Sequence, residues 1–455
     1  MKLLIVVLVA AALAVPLFMT YALLWDRQEQ SRTARATITQ GWGGPQVVTG
    51  PVLVIPYSED VTETVVQNGR SVETVRRVTR DIFLSPRAQK VETVLSPQRK
   101  HKSIYTSNLY EGAMQGTATF ALPADAARSG YDPARMDFAR AELHFGVADP
   151  RGLQSATRVI AGGNTLLTRP GGKLGNTNNS GFFAFADWDG QAPLDVTWSY
   201  GLRGSETLSF VPRGGNSEWH VRSTWPHPSF SGSFLPNASK VGDEGFDATF
   251  AVSDLALGQE LLTRDNAGPP MVGNGIAPMP PVTAEYGGNR GGPAMAATVG
   301  LVEPVDLYSR IDRSVKYGFL IIGFTFLAFF MFDVVAGASV SAPEYLLTGA
   351  GLVLFFVLLL AFSEVIGFAA AYAVASVAII GLVTSYSAAV LKSWGRARVI
   401  GALLVGLYAL LFVLLNLEAW SLLIGSVLVF LALAGVMYAT RNVDWQGLDR
   451  TAEAG

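Results

Sequence analysis

The longest apolar stretch of the chain covers residues 345–390 and is interrupted near its middle by Ser363 and Glu364. A helix needs roughly 20 apolar residues to cross the hydrocarbon core of a bilayer, so residues 345–362 and residues 367–390 each suffice for one crossing. Backbone groups in lipid must be hydrogen-bonded within the protein, which favours helices. The pattern therefore predicts a membrane-embedded helical hairpin with Ser363 and Glu364 at its tip.

Four further apolar segments of comparable length flank this hairpin. They cover residues 3–25, 317–338, 397–416 and 419–439. Together with the hairpin they predict six membrane spans, one at the N-terminus and a bundle of five at the C-terminus. Because short loops join the five C-terminal spans, neighbours in sequence are expected to be antiparallel and adjacent.

The first span, Leu3–Trp25, follows Met1 and one basic residue, Lys2. A cleaved signal peptide is the alternative, because Ala12-Leu13-Ala14 has the small-x-small form of a cleavage site. The apolar part of a signal peptide is only about 7–15 residues long, however, and this run continues well past that site. We therefore expect an uncleaved anchor, whose helix extends through the polar residues 26–36 and stops at Gly41.

Residues 46–310 have the pattern of β-structure. Short segments rich in Val, Ile, Thr and aromatic residues are separated by turn residues, and Asn68-Gly69 between two of them is a strong hairpin signal. The predicted strands cover residues 46–56, 61–66, 71–79, 116–121, 139–147, 194–200, 206–211, 218–223 and 246–252. So many short strands predict a two-sheet sandwich or an open barrel, with two β subdomains in tandem as a further possibility.

Residues 265–300 break the β-pattern, since they are rich in Gly and Pro without any period. Such a composition predicts a mobile loop or linker. Residues 302–309 then return to strand-like character.

The predicted fold class is an α+β membrane protein. Residues 1–40 form an N-terminal transmembrane anchor with its polar helical extension, and residues 41–310 form a β-rich, sandwich-like domain that contains the loop 265–300. Residues 311–440 form a five-helix transmembrane bundle, and residues 441–455 form a tail.

Composition agrees with a membrane protein that has a sizeable soluble part. Of the 455 residues, 50% are hydrophobic and only 15% are charged. The formal net charge of −2 offers no electrostatic basis for binding nucleic acid. The chain has no cysteine, which excludes disulfides, thiol catalysis and cysteine-ligated metals.

Basic residues near the spans indicate how the chain is oriented. Lys and Arg of short loops accumulate on the cytoplasmic side of a membrane. Those on one side of the predicted spans are Lys2, Lys392, Arg396, Arg398, Arg441 and Arg450. Both termini are therefore expected in the cytoplasm and residues 41–310 on the other side. Arg310, Arg313 and Lys316 oppose this count, but they follow a long translocated domain, where the rule is weak.

Few residues suggest chemistry outside the membrane. The four histidines, His101, His144, His220 and His227, have no metal-binding spacing, so we expect structural or surface roles. We find no nucleophile elbow or phosphate-binding loop, and we predict no catalytic residue, metal or cofactor. His227 and Trp225, which lie in an aromatic-rich segment, are kept as candidate functional positions.

Four carboxylates lie near the ends of predicted spans: Asp333, Glu344, Glu364 and Glu418. Ionisable groups within membranes are costly and often mark ion or proton paths. The plainer interpretation is that these groups are solvated helix ends. Glu364, with Ser363 beside it, is the best functional candidate, because the hairpin leaves it little room to leave the bundle, and Asp333 is kept as a further candidate.

A resemblance covers the whole chain and rests on many short segments in the same order. They are Asp26-Arg27-Gln28, Gly41-Trp42-Gly43-Gly44-Pro45-Gln46, Gly50-Pro51-Val52-Leu53, Asp149-Pro150-Arg151-Gly152, Gly204-Ser205-Glu206, Ser223-Thr224-Trp225-Pro226-His227-Pro228-Ser229-Phe230-Ser231-Gly232, Phe234-Leu235-Pro236, Val305-Asp306, Arg313-Ser314-Val315-Lys316-Tyr317-Gly318, Phe362-Ser363-Glu364, Gly367-Phe368 and Thr440-Arg441-Asn442-Val443-Asp444-Trp445. By these segments the chain resembles the CreD family of bacterial inner-membrane proteins, also called the cell envelope integrity family. Two departures are Lys102-Ser103-Ile104-Tyr105, where the family tends to have Arg-Gly-Ile-Tyr, and a longer 265–300 segment.

The resemblance implies an inner-membrane protein of Gram-negative bacteria with a periplasmic domain. With the six spans and cytoplasmic termini expected from the sequence, residues 41–310 are that periplasmic domain. It also implies a regulon under a two-component system, with links to envelope integrity and to colicin or β-lactam responses. It implies no reaction and no catalytic residue.

Three functions remain open from the sequence. The first is a non-enzymatic protein of envelope integrity or stress response, whose β-domain acts through lipids or an unidentified periplasmic or membrane protein. The second is a transporter or lipid-handling protein that uses the helix bundle. The third is a periplasmic hydrolase, because a β-sandwich can host paired carboxylates. The expected partners are the lipid bilayer and a protein, with no nucleic acid.

Overall fold

The computed structural model describes residues 2–67, 70–102, 105–264, 295–302, 307–335 and 340–416, with scattered positions between 423 and 438. Four predictions lie wholly or mostly outside these residues: the Asn68-Gly69 turn, the loop 265–300, the span 419–439 and the tail 441–455. The chain divides into two compact units. The helical unit contains residues 1–33 and 305–455, and the β unit contains residues 34–304.

The described chain contains seven α-helices. They are α1 (Lys2–Gln40), α2 (Asp254–Leu257), α3 (Leu307–Lys316), α4 (Gly318–Val335), α5 (Ala342–Ile366), α6 (Phe368–Val390) and α7 (Trp394–Asn416). Within the described residues, five segments are long and apolar enough to cross a membrane: Val7–Gln40, Leu307–Asp333, Ala342–Ile366, Phe368–Val390 and Trp394–Asn416. Each of them overlaps one predicted span.

The predicted hairpin in residues 345–390 is confirmed, but its tip lies elsewhere. Helix α5 continues through Ser363 and Glu364, and the chain reverses at Gly367 alone, between α5 and α6. Gly367 has φ +79°, a conformation that glycine adopts readily and other residues rarely do. Ser363 stays helical because its hydroxyl donates to the carbonyl of Leu360 at 3.0 Å. The prediction of a Ser363-Glu364 tip is therefore wrong by about one helical turn.

The chain before α4 also differs from the prediction. Residues 297–301, the end of the predicted loop 265–300, form a strand, and the predicted strand at 302–309 gives way to α3 from Leu307. Tyr308, Ile311 and Val315 are buried along one side of α3, as the three- and four-residue spacing of an amphipathic helix requires. Glycine and proline in residues 265–293 obscured this boundary in the sequence.

The β unit contains seventeen strands in the described residues. They are β1 (Gln46–Gln67), β2 (Arg70–Leu84), β3 (Ala88–Lys102), β4 (Tyr105–Phe120), β5 (Glu142–Val147), β6 (Arg158–Ala161), β7 (Asn164–Leu166), β8 (Arg169–Pro170), β9 (Gly181–Phe185), β10 (Leu194–Ser205), β11 (Thr207–Val211), β12 (Asn216–Ser223), β13 (Pro228–Gly232), β14 (Ala238–Gly242), β15 (Gly245–Val252), β16 (Leu262–Thr263) and β17 (Ala297–Leu301).

These strands form two sheets, which confirms the sandwich among the predicted alternatives. The nine-stranded sheet has the order β13-β17-β11-β1-β5-β9-β8, with β2 paired to β1 and β16 paired to β2. The eight-stranded sheet has the order β14-β15-β12-β3-β4-β10-β6-β7. One apolar core joins them, with Leu53 and Ile55 from the first sheet and Val91, Tyr110 and Trp219 from the second.

Strand β1 is longer than predicted, because Pro56 does not end it. A proline lacks the N–H that a central strand donates to its neighbours, so it is usually found at edges or bulges. At Pro56, β1 pairs with β2 on one side, and its pairing with β5 has already ended at Val54. The carbonyl of Pro56 accepts a hydrogen bond from the N–H of Asp137 instead. The two segments predicted at 46–56 and 61–66 are therefore one strand.

Candidate functional site: a chain junction, a sheet groove and buried ionisable groups

The chain enters and leaves the β unit at the same place, which we call the junction. Strand β11 lies between the first strand, β1, and the last strand, β17. The start of β11, at Thr207 and Leu208, is level with Gln46 of β1 and with Gly300 of β17. The loop after α1 and the end of β17 therefore lie at one end of the same strand.

Gln46 and Asp149 hold the entry side of the junction. The buried amide of Gln46 donates to the carbonyls of Arg203 at 2.9 Å and Asp149 at 3.1 Å, and its oxygen accepts from the N–H of Asp149 at 3.2 Å. The Asp149 carboxylate accepts from the N–H of Gly44 at 3.0 Å and pairs with Arg151 at 2.7 Å. These bonds, led by the one from Arg151, lower the pKa of Asp149. Arg151 also donates to the carbonyl of Gln40, the last residue of α1.

Trp42 adds an aromatic contact to this side. Its indole N–H donates to the carbonyl of Tyr110 at 3.3 Å. The cations of Lys100 and Arg203 lie 4.2 and 4.5 Å from its ring centroid, a geometry that attracts them to the ring. Gly43 has φ +136°, and a Cβ there would lie 2.8 Å from the carbonyl oxygen of Arg203. The Gly-Trp-Gly-Gly segment thus allows a close approach that a larger residue would prevent.

Trp225 holds the exit side of the junction. It is only 5% exposed, and its indole N–H donates to the carbonyls of Val302 and His227, each at 3.1 Å. The guanidinium of Arg99 lies 5.0 Å from its ring centroid. His227 itself is exposed, and of these two candidates it is Trp225 that fixes the end of β17.

A groove runs along the eight-stranded sheet on the face turned away from the nine-stranded sheet. It consists of three adjoining cavities of about 480, 520 and 700 Å³. The first two share Glu92, Gln115 and Ser199, and the last two share Val94 and Arg222. Successive side chains of a strand point to opposite faces of the sheet. In β3, Glu92 and Val94 therefore line the groove, whereas Val91 and Leu95 belong to the core.

The groove contains one hydrogen-bonded histidine–carboxylate pair. Nε2 of His220 lies 2.9 Å from Oδ1 of Asp247, and both side chains are partly exposed. His220 of β12 and Asp247 of β15 lie on neighbouring strands and are offset by two residues from a directly opposed pair. The sequence analysis expected only a structural or surface role for His220.

A second histidine–carboxylate pair is buried in the nine-stranded sheet, under the segment before β9. Nε2 of His144 lies 2.8 Å from Oε2 of Glu142, which also accepts from Lys173 at 3.0 Å. Lys173 reaches Asp81 of β2 at 3.2 Å. Burial lowers the pKa of His144. Although burial raises the pKa of Glu142, the hydrogen bonds from His144 and Lys173 outweigh it and lower that pKa.

The candidate carboxylates of the helical unit have different surroundings. Glu364 is half-buried at the end of α5, and its Oε1 accepts from the Tyr308 hydroxyl at 3.2 Å. Asp333, near the end of α4, is 4% exposed, and its Oδ1 lies 3.4 Å from the N–H of Val340. Asp333 is therefore not the solvated helix end that the sequence suggested. Glu344 does occupy a helix end, where it forms a capping box with Ser341. Glu418 lies outside the described residues.

Comparisons with known proteins agree with the resemblance in the sequence. A family model described as "Inner membrane protein CreD" matches residues 1–446. The inner membrane protein CreD of Escherichia coli (strain K12) is 30% identical over 440 residues, which are 95% of this chain and 90% of that protein. The chain belongs to the CreD family. It is therefore an inner-membrane protein.

The junction explains why distant segments of the sequence carry the CreD resemblance. Residues 41–46, 149–152 and 204–206 meet on the entry side, and residues 223–228 meet the end of β17 on the exit side. Ser205 donates its N–H to the carbonyl of Gly44 at 3.2 Å, and Leu301 donates to that of Glu206 at 2.7 Å. Four short motifs, scattered in the sequence, therefore join the end of β17 in one hydrogen-bonded structure in this CreD protein.

Sequence reasoning missed both histidine pairs, although one had a local signal. Glu142 and His144 are two residues apart in a predicted strand, so they had to lie on the same face of the sheet. No local pattern marks His220 and Asp247. The described part of this CreD chain has no group of three or more His, Asp or Glu side chains placed to hold a metal ion.

Proposed function

We propose that this protein contributes to envelope integrity as a membrane-anchored binding protein whose β unit holds a partner in the sheet groove. The observation that carries the proposal is the continuity of the three cavities along one face of the eight-stranded sheet. Together the three cavities extend across several strands of this sheet. A surface of this extent suits a polypeptide or another extended polar molecule better than a small substrate. The family's inner-membrane location supports an envelope role.

The lining of the groove favours binding without catalysis. Both kinds of charge line the groove, with Glu92 and Arg158 in the first cavity and Glu92 and Arg222 in the second. Such a surface gives electrostatic complementarity to a partner with both kinds of charge, which contributes specificity and a faster association. The protein acts as a non-enzymatic module in this proposal.

We also propose that the β unit lies in the periplasm and that both termini lie in the cytoplasm. The support is a group of basic residues at one end of these helices, with Lys392 in the loop between α6 and α7 and with Arg396 and Arg398 in the first turns of α7. A reporter that is active only in the periplasm, fused after Ser393 or after Asn416, tests this orientation. The proposal predicts activity for the fusion after Asn416 and none for the fusion after Ser393, and the reverse result would contradict it.

Photo-crosslinking in living cells tests the groove. A photoreactive amino acid at Gln115, exposed in the groove, should capture a specific partner. The matched control is the same amino acid at Ser231, exposed on edge strand β13 of the other sheet. Capture at Gln115 and not at Ser231 supports the proposal. Equal capture at both positions, or none at Gln115, contradicts it.

A hydrolase is the second candidate function, and the His220–Asp247 pair is the observation that favours it. A histidine oriented by a carboxylate can act as a general base. His220→Gln removes the base and leaves most of the groove unchanged. Under the binding proposal this variant restores normal envelope resistance to a deletion strain. Under the hydrolase alternative it behaves like the deletion.

A further inference from the structure

Arg213 is the most unusual buried charge in the β unit. It lies in the corner between β11 and β12, where the chain passes from one sheet to the other, and it is 3% exposed. Burial lowers its pKa to about 10. Buried arginines are normally paired with a carboxylate or another anion, because an isolated buried charge is strongly disfavoured.

No partner for this guanidinium is found among the described residues. Its Nε is buried without a hydrogen bond, and no carboxylate of the described chain lies within salt-bridge distance. Nearby, the amide of the buried Gln89 donates to the hydroxyl of Ser217 at 2.8 Å, and that hydroxyl donates to the carbonyl of Arg213 at 3.5 Å. The other end of this amide, Oε1 of Gln89, is also buried without a partner.

The backbone that follows Arg213 is fixed against a facing turn. Gly214, with φ +116°, packs against the carbonyl of Pro86. The N–H of Gly215 donates to that carbonyl at 2.9 Å, and the N–H of Asn216 donates to the carbonyl of Arg87 at 3.1 Å. The buried guanidinium and the unpartnered oxygen of Gln89 therefore belong to a corner whose backbone is already hydrogen-bonded.

We propose that Arg213 and Gln89 form a binding site for an oxyanion, a carboxylate or a phosphate group, at the corner between β11 and β12. The Nε edge of a guanidinium offers two parallel N–H donors, which match two oxygens of such an anion. The side-chain amide of Gln89 can turn to present either its N–H₂ or its oxygen to the ligand. Arg213 does not line the sheet groove, so this site goes beyond the proposed function and does not depend on it.

Anion-dependent unfolding of the purified full chain in detergent tests the site. Tryptophan fluorescence would follow thermal unfolding at pH 7 in sodium phosphate, sodium formate or sodium chloride at equal ionic strength. A ligand that binds only the folded state raises the unfolding temperature in a saturable way. We expect phosphate or formate to produce a saturable rise of a few degrees, and chloride to produce none. The stronger of the two oxyanions distinguishes a phosphate-type ligand from a carboxylate.

Two arginine variants make the result specific. Arg213→Met should lose the oxyanion response, whereas Arg87→Met, at an exposed arginine in the facing turn, should keep it. If Arg213→Met does not fold, Arg213→Lys, which keeps the charge and loses the planar fork, should weaken the response. An unchanged response in Arg213→Met or Arg213→Lys overturns the proposal, as does an equal response to chloride.

Discussion

Two buried tyrosines, one in each unit, differ in the hydrogen bonding of their hydroxyls. The Tyr110 hydroxyl of the β unit donates to the carbonyl of Thr207 at 2.9 Å. The Tyr408 hydroxyl of α7 is also buried, but it has no hydrogen-bond partner in the described chain. Five other buried hydroxyls of the helices share this condition, namely Ser314, Tyr345, Thr348, Ser376 and Thr384, and so do two in the β unit, Ser107 and Ser205.

The two units also differ in what holds them together. In the β unit, polar groups at the junction form a connected network around Gln46 and Asp149. In the helical unit, contacts are mainly apolar, with small residues such as Ala371 and Ala375 fully buried on α6, and close packing of this kind holds membrane helices together. Under our proposal, recognition belongs to the β unit and anchoring to the helices.

The largest expected effect is at the junction. Asp149→Ala removes the carboxylate that pairs with Arg151 and leaves the half-buried N–H of Gly44 without its acceptor. We expect a loss of about 2–3 kcal/mol in the free energy of unfolding, measured by denaturant unfolding of the full chain followed by tryptophan fluorescence. The matched control is Asp60→Ala, which removes pairs with the exposed Arg77 and Arg135 and should cost no more than about 1 kcal/mol. Equal losses of stability in the two variants would mean that the bonds of Asp149 contribute no more than exposed ion pairs do.

The two tyrosines provide the next test. Tyr110→Phe removes a hydrogen-bonded hydroxyl and should cost about 1 kcal/mol. Tyr408→Phe removes an unpartnered hydroxyl and should be neutral or slightly stabilising. Both variants are compared by thermal unfolding in the same detergent. A clear loss for Tyr408→Phe would show that its hydroxyl is bonded, and would remove this contrast between the units.

Acid should destabilise the β unit through its buried histidine pair. Since the pKa of His144 is lowered in the folded state, the unfolded chain binds a proton more readily as pH falls below about 6.5. The lowered pKa of Glu142 adds a second loss of stability as pH falls below about 4.5. We expect the unfolding temperature to fall between pH 7.5 and pH 5.5. His144→Gln, which keeps a hydrogen bond to Glu142, should reduce this fall, and an unchanged fall would assign it to other groups.

The smallest expected effect is at Glu364. Glu364→Gln keeps an oxygen that can accept from Tyr308, so stability should change by less than about 1 kcal/mol, and the variant should restore envelope resistance to a deletion strain. Resistance is measured as growth with detergent and with a cell-wall antibiotic. A failure to restore resistance, at normal protein abundance, would favour a proton- or ion-coupled transporter and assign function to the helices.

The sequence predicted what depends on local patterns. Apolar length alone located the hairpin of residues 345–390, and Asn68-Gly69 located the pairing of β1 with β2. The position of the helix break at Gly367 was missed, because Ser363 and Glu364 were judged by polarity. Both remain in α5, where Ser363 bonds locally to Leu360 and Glu364 bonds to Tyr308 of α3.

The groove and the junction could not be predicted in the same way. They depend on strand pairs that are far apart in the chain, such as β12 beside β3, which places His220 level with Glu92. Nothing in either segment specifies that pairing locally, since it follows from how the whole set of strands closes around the core. The Arg213 corner was missed for the same reason, because its burial arises from the facing turn at Pro86 and Arg87.

Reversal of charge in the groove tests the division of roles most directly. Arg158→Glu with Arg222→Glu changes two groove residues, and Arg76→Glu with Arg128→Glu makes the same change at exposed positions outside it. Each double variant is expressed at wild-type abundance in a deletion strain, and resistance to detergent and a cell-wall antibiotic is measured. Our account predicts that the groove variant is as sensitive as the deletion and that the control is as resistant as wild type. Full resistance of the groove variant would contradict it.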